Sequence, residues 1–314
     1  MIDGNSYRLA ESLAKRHISD WHIVQFHNVV FDSGAFPNNI NSYSELAPIL
    51  DTMQENRFSN YMREMNGLTD NECHLLVDTL CDCILFQRTF MPDIKTRLPY
   101  ATMIAHLAAF SKITTYNPEF NNILEIGPGC GYLPFFLRHH TPLKNYSHTE
   151  ACEGFYILQS IINSYIFKHK FEDRAFPKGQ EDAESIYTNN SLFFDDFDYI
   201  DIPFDPISIH YPWWRLNEIH SHPEKFDIVM SNANLKEFMP EALDDYLSLT
   251  KDCLTDEGVL FCQCLGGPLR TKDELLQKKL FENGFAPLIY LESPGAVIAE
   301  IPQLSQKIEK HFTV

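Results

Sequence analysis

No stretch of this sequence approaches the apolar length a bilayer span requires, and the N-terminal MIDGNSYRLAESLAKRH lacks the apolar core of a secretion signal. The eight cysteines contain no C-x-x-C pair, so the usual zinc and dithiol signatures are missing. Several cysteines lie in apolar segments, where a free thiol behaves as a small hydrophobe. We therefore expect a cytoplasmic protein in a reducing compartment, and we assign no residue to metal. Basic residues are few: 25 Lys and Arg stand against 43 Asp and Glu, for a net charge of -18. A field of that sign repels phosphate, so neither nucleic acid nor an anionic membrane is an expected partner. Internal repeats and low-complexity blocks are absent as well. What remains is a chain of 314 residues, 44% hydrophobic, enough for one large or two modest cores.

The stretch that organises the rest is Asn121–Leu133, NNILEIGPGCGYL. A short apolar run ending in alternating glycines, Gly127, Gly129 and Gly131, reads as a buried parallel strand turning into a helix. Glycine suits a tight turn that lets a ligand approach the backbone. The segment Tyr132–His140 reads as the following helix, with Pro134 in its first turn. The free N–H groups at its start make an anion site. The dinucleotide fingerprint G-x-G-x-x-G does not fit, because Gly131 follows Gly129 by two positions, not three.

Residues 1–115 read as mostly helical, a region for a lid, substrate contacts or homo-oligomer contacts. Thr69–Glu72 is a capping box opening a periodic apolar run, Glu55–Met65 precedes it, and Ala101–Phe110 follows. His17, His22 and His27 recur every five residues, a spacing that fits neither a helix face nor a strand. We read them as structural or solvated.

Residues 116–302 read as the main α/β domain, and 303–314 as a tail. Asn145–Thr149 is a second strand, and Glu150 follows 19 residues after Gly131. A carboxylate there offers two acceptor oxygens to the two hydroxyls of a ribose. Phe155–Phe171 reads as a helix. An acidic insertion then runs over about 172–205, too long for a simple connection, and its Asp195, Asp196 and Asp198 read as a solvated loop. Ile207–Ile209 is a strand that places His210 at its tip, followed by Trp213 and Trp214. Phe226–Asn232 is a buried strand with a polar end. A helix from Pro240, the strand Val259–Leu265, a helix up to Gly284 and a hairpin around Pro294-Gly295 complete the pattern. Strands alternating with helices predict a three-layer α/β fold.

The spacing Glu125-x-Gly127-x-Gly129-x-Gly131 resembles the first motif of class I S-adenosylmethionine (SAM) dependent methyltransferases. With His210-Tyr-Pro-Trp-Trp214 and Ser231-Asn-Ala-Asn-Leu-Lys-Glu237, it resembles a bacterial family of sugar O-methyltransferases over roughly residues 95–300. The resemblance implies a Rossmann-like sheet closed by an antiparallel hairpin, with SAM as cofactor. It implies that Glu125, Gly127, Gly129, Gly131, Tyr132, Glu150 and Asn232 bind SAM. Trp213, Trp214 and Tyr100 would meet a small-molecule or carbohydrate acceptor.

A hydroxyl acceptor needs a base, and His210, Glu237 and His148 are the candidates in that order. Two other readings stay open at this stage. One is an N-methyltransferase of a small molecule or peptide, the other a SAM-binding scaffold without catalysis.

Overall fold

Short apolar runs with β-branched residues, bounded by polar or glycine turns, make the sheet that everything else packs on. The structure is a computed structural model describing residues 3–16, 39–50, 58–175, 207–232, 234–235, 238, 240–263, 270–291 and 296–302. His17, His22, His27, Asp195, Asp196, Asp198 and Glu237 lie outside them. The N-terminal part holds α1 (Gly4–Ala14), a 3-10 helix (Tyr43–Ile49), α2 (Phe58–Glu64), α3 (Asp70–Phe90) and α4 (Tyr100–Tyr116). Helix α3 opens with the expected capping box: Glu72 N–H donates to Thr69 Oγ1 at 3.2 Å while Thr69 N–H donates to Glu72 Oε2 at 2.9 Å.

The α/β part runs β1 (Asn122–Ile126), α5 (Pro134–Leu137), β2 (Asn145–Glu150), α6 (Glu153–Phe167), β3 (Phe171–Asp173), β4 (Ser208–Pro212) and α7 (Leu216–His220). It continues through β5 (Phe226–Asn232), α8 (Pro240–Cys253), β6 (Leu254–Gln263), α9 (Arg270–Glu282), β7 (Ala286–Leu291) and β8 (Ala296–Glu300). Among the described residues the sheet has eight strands in the order β3-β4-β2-β1-β5-β6-β8-β7. Neighbours are parallel except β8, which runs antiparallel to β6 and β7. This is the expected Rossmann-like sheet with its closing hairpin, and β1 lies centrally, where the strand order reverses.

Strand alternation sorts the side chains into two layers. Ile123, Ile228, Met230, Val259 and Phe261 pack toward Ala109 and Ile113 of α4 and Leu137 of α5. Leu124, Val229, Leu260 and Cys262 pack on the other face with Leu243 and Leu247 of α8 and Leu276 of α9. Among the described residues no helix is long and apolar enough to cross a membrane.

Three local readings are corrected. The helix after the glycines is one turn, Pro134–Leu137, not Tyr132–His140. The helix expected over Phe155–Phe171 ends at Phe167, and Glu172 and Asp173 belong to β3 instead of opening the acidic insertion. Strand β4 runs through Pro212, so His210 sits mid-strand and not at the tip.

Candidate functional site

The loop after β1 is built from left-handed backbone. Gly127, Gly129 and Gly131 have φ of +61°, +61° and +67°, a region that costs a residue with a Cβ roughly 1–2 kcal/mol. Space is restricted too: a Cβ on Gly131 would stand 2.4 Å from Gln159 Cγ. The loop begins in register with the sheet, Gly127 N–H donating to Thr149 O at 2.9 Å.

Glu150 ends β2 directly beside this loop. Its Oε1 accepts from the N–H groups of Ala151 (2.8 Å) and Cys152 (3.0 Å). Its Oε2 accepts from Gly129 N–H (3.3 Å) and from Gln159 Nε2 (3.0 Å). Gln159 Nε2 also donates to Gly129 O at 2.7 Å, so α6 ties loop and carboxylate together. Burial raises the Glu150 carboxyl, and these donors act against it. The glycine loop and the acidic strand end that the sequence set 19 residues apart are thus hydrogen-bonded neighbours.

Asn232 ends β5 on the other side of β1. It is partly buried, and its Oδ1 has no hydrogen-bond partner among the described residues. Asn234 reaches back under the loop, Nδ2 donating to Ile126 O (2.8 Å) and Gly127 O (3.0 Å). Tyr132 is buried, its hydroxyl donating to Leu50 O, and Cys130 Sγ donates to Ile49 O at 3.0 Å. Both contacts bring residues 49–50 of the N-terminal region onto the glycine loop.

Glu125 is fully buried beneath the loop. Tyr146 Oη donates to its Oε2 at 2.6 Å, while Oε1 has no hydrogen-bond partner among the described residues. Burial is the main cause that pushes this carboxyl up to about 7; Tyr146 opposes the shift and Glu150 adds to it. Glu125 is the first member of a row of ionisable side chains in register across four strands: Glu125, His148, His210 and Asp173.

That row corrects two of the expected bases. In-register residues share a face of the sheet, and here that face lies under α6. His148 and His210 are fully buried and stack on each other with ring centroids 3.9 Å apart. His210 also stacks on Tyr156 at 3.7 Å, and its Nδ1 shares a hydrogen bond with Ser160 Oγ at 2.9 Å. Burial holds both imidazoles neutral, His148 lowered to about 3 and His210 well below its usual value. Neither ring is presented beyond the carboxyl ends of the strands, where an acceptor would lie.

The expected acceptor contacts divide. Trp213 and Trp214 follow the end of β4 and are buried against each other with ring centroids 5.6 Å apart. Trp213 Nε1 donates to Glu11 Oε1 at 3.0 Å. Tyr100 is exposed at the start of α4, its ring edge-on to Phe58 at 5.3 Å. Gln159 and Asn234 are the loop-holding residues that the predicted site omits. Asn234 carried a signal, lying in the Ser231–Glu237 patch; a lone Gln on a helix carries none. Among the described residues no group of three His, Cys, Asp or Glu is arranged to hold a metal.

No protein-family model matches the chain, and no curated protein matches it. Solved structures do resemble it. The O-methyltransferase TomG from Streptomyces achromogenes, in complex with SAM, is 14% identical with a TM-score of 0.40, covering 80% of this chain and 100% of its own. The S-adenosylhomocysteine-bound methyltransferase PaMTH1 of Podospora anserina is 12% identical with a TM-score of 0.39, covering 78% of this chain and 93% of its own. The glycopeptide N-methyltransferase MtfA, complexed with sinefungin, is 8% identical with a TM-score of 0.39, covering 62% of this chain and 85% of its own. Strand order and direction, with β8 antiparallel to β6 and β7, define the fold.

Proposed function

We propose that this chain is a SAM-dependent methyltransferase that moves a methyl group to a hydroxyl, of a sugar or glycoside. One observation carries the reading: the glycine loop and the Glu150 carboxylate meet, Gly129 N–H lying 3.3 Å from Glu150 Oε2. On this reading Gly127, Gly129, Gly131 and Tyr132 position the amino-acid end of SAM. Glu125 is its acceptor group, and Glu150 faces the ribose. The unpartnered Oδ1 of Asn232 at the end of β5 fits a polar ligand beside the loop.

SAM, when bound, supplies an activated methyl on a sulfonium leaving group. The chain's task is then to hold acceptor and methyl in line and to exclude water. Positioning of that kind supplies roughly 7–11 kcal/mol of barrier lowering. The packing of residues 49–50 on the loop and of Trp213 and Trp214 beyond β4 supports water exclusion from two sides. A hydroxyl acceptor also gains about 10²–10⁴-fold from a base. With both histidines withdrawn under α6, we assign that role to Glu237, which follows the polar end of β5. Trp213, Trp214 and Tyr100 are kept as acceptor contacts, and the N-terminal helices as the surface for a homo-oligomer.

The same withdrawal favours a second reading, transfer to an amine, which needs less help from a base. Calorimetry with SAM and NAD side by side tests the cofactor. Micromolar binding of SAM with no NAD heat is expected, and NAD binding alone would overturn the proposal. Methyl-transfer assays on glycoside and amine acceptors with Glu237→Gln separate the two readings. Loss of turnover at unchanged SAM affinity supports the hydroxyl reading; full activity supports the amine.

A further inference from the structure

Helix α1 carries a side chain that the proposed site does not use. Tyr7 is 1% exposed, and its ring packs against Tyr156 and Trp214, with centroids 5.0 Å and 5.1 Å away. Among the described residues its hydroxyl has no hydrogen-bond partner. Buried phenols normally find one, because an unpaired polar atom loses its water without compensation. The ring alone would pack equally well as phenylalanine, so packing accounts for the ring and leaves the hydroxyl unexplained.

The contacts of α1 place this helix relative to the strand ends. Arg8 pairs with Glu153 Oε1, three residues beyond Glu150. Glu11 accepts from Trp213, the residue after β4. Gly4 lies so close to the chain at Ile40 that a Cβ would stand 1.7 Å from Ile40 O. These contacts seat α1 across the carboxyl ends of β2 and β4. Burial, then Glu11, Cys152, Glu150 and Glu153, together raise the phenol well above its ordinary value. It therefore stays protonated, a donor among carboxylates that are themselves acceptors.

We propose that the Tyr7 hydroxyl is a binding group for the nucleoside held at Glu150, closing that crevice from the side opposite the sheet. The ligand class is a ribonucleoside with a free diol, which on the reading above is the adenosine of SAM, and the inference rests on that reading. Tyr7 would then make the N-terminal helix part of the cofactor site and not only a covering.

Tyr7→Phe tests this, since it keeps the ring against Tyr156 and Trp214 and removes one oxygen. Calorimetry with SAM and with S-adenosylhomocysteine is expected to show both binding roughly 3–10-fold more weakly, the worth of one hydrogen bond. The melting temperature without ligand is expected to be unchanged or higher, because an unpaired buried hydroxyl has been removed. Parent and variant binding SAM equally would overturn the role of Tyr7 and leave the SAM reading standing. A fall in melting temperature that accounts for the weaker binding would overturn it too, by making the hydroxyl structural. A parent protein that binds no SAM would remove the SAM reading and this inference with it.

Discussion

A Cβ on Gly127 would stand 1.6 Å from Asn234 Nδ2, the atom that donates to Ile126 O and Gly127 O. The loop can therefore adopt this path only with a bare Cα at its first turn. Gly127→Ala must either push Asn234 away, breaking two hydrogen bonds, or shift the loop. It also places a Cβ at a φ of +61°. We expect destabilisation of about 2 kcal/mol or more in urea unfolding, from the left-handed backbone and the lost bonds. SAM heat in calorimetry should vanish. A variant with parental stability and parental SAM affinity would show that the loop has a different path.

Much of this frame was legible in the sequence, for identifiable reasons. Ile123 and Leu124 before the glycines, and Ile228 to Met230 before Ser231 and Asn232, are short apolar runs with polar ends. Such runs have few alternatives to a buried parallel strand. The hairpin was legible from Pro294-Gly295. His210 misled because a histidine after Ile207-Ser-Ile209 looks like a strand end. The alternation continues for two more residues, and Tyr211 takes the apolar face while His210 faces α6. Gln159 and Tyr7 were out of reach for a different reason. Gln159 works by joining Glu150 to Gly129, 30 residues before it, and Tyr7 meets Tyr156 and Trp214 from the far end of the chain; neither residue type announces its role locally.

Glu150→Gln tests the strand end. One amide oxygen can still accept, but the new NH₂ would face Gly129 N–H and Gln159 Nε2, two donors, or Ala151 and Cys152 N–H, two more. Donor against donor leaves buried groups unpaired at about 1–3 kcal/mol. On the SAM reading we expect at least a tenfold loss of SAM affinity, about 1.4 kcal/mol. Calorimetry reads the affinity, and a thermal melt reads the stability. Unchanged affinity would separate Glu150 from the nucleoside.

Tyr146→Phe tests the buried carboxyl of Glu125. The fold raises that carboxyl to about 7, so its protonated form is favoured. Its contribution to stability is full below the unfolded value and is lost as pH rises through about 7. Tyr146 limits this loss by donating to the charged form at 2.6 Å. Removing the donor should cost about 1–3 kcal/mol at pH 8, where the carboxylate must stay buried and unpaired. The cost should be smaller at pH 5, where Glu125 is protonated. Equal losses at the two pH values in urea unfolding would contradict this account of Glu125.

His148 has the opposite sign, and that makes it separable from Glu125. Burial lowers its imidazole to about 3, so the folded chain refuses a proton that the unfolded chain accepts below about 6.5. Stability from His148 is present above the unfolded value and drains away as pH falls toward the folded one. Between pH 7 and pH 5 the loss is about 2 kcal/mol for this single group. The parent's total pH dependence mixes this with Glu125 and with His210, which burial also keeps neutral and which stacks on His148. The informative quantity is therefore a difference. His148→Gln should be less stable than the parent at pH 7, because packing with His210 and Tyr146 is lost. On moving to pH 5 that gap should narrow by about 2 kcal/mol, because the variant no longer has this proton to refuse. If the gap stays constant while turnover of the pH 7 enzyme collapses at intact SAM affinity, His148 is accessible and acts as a base after all. If the gap narrows, the imidazole row is structural, and proton removal from the acceptor must come from another group.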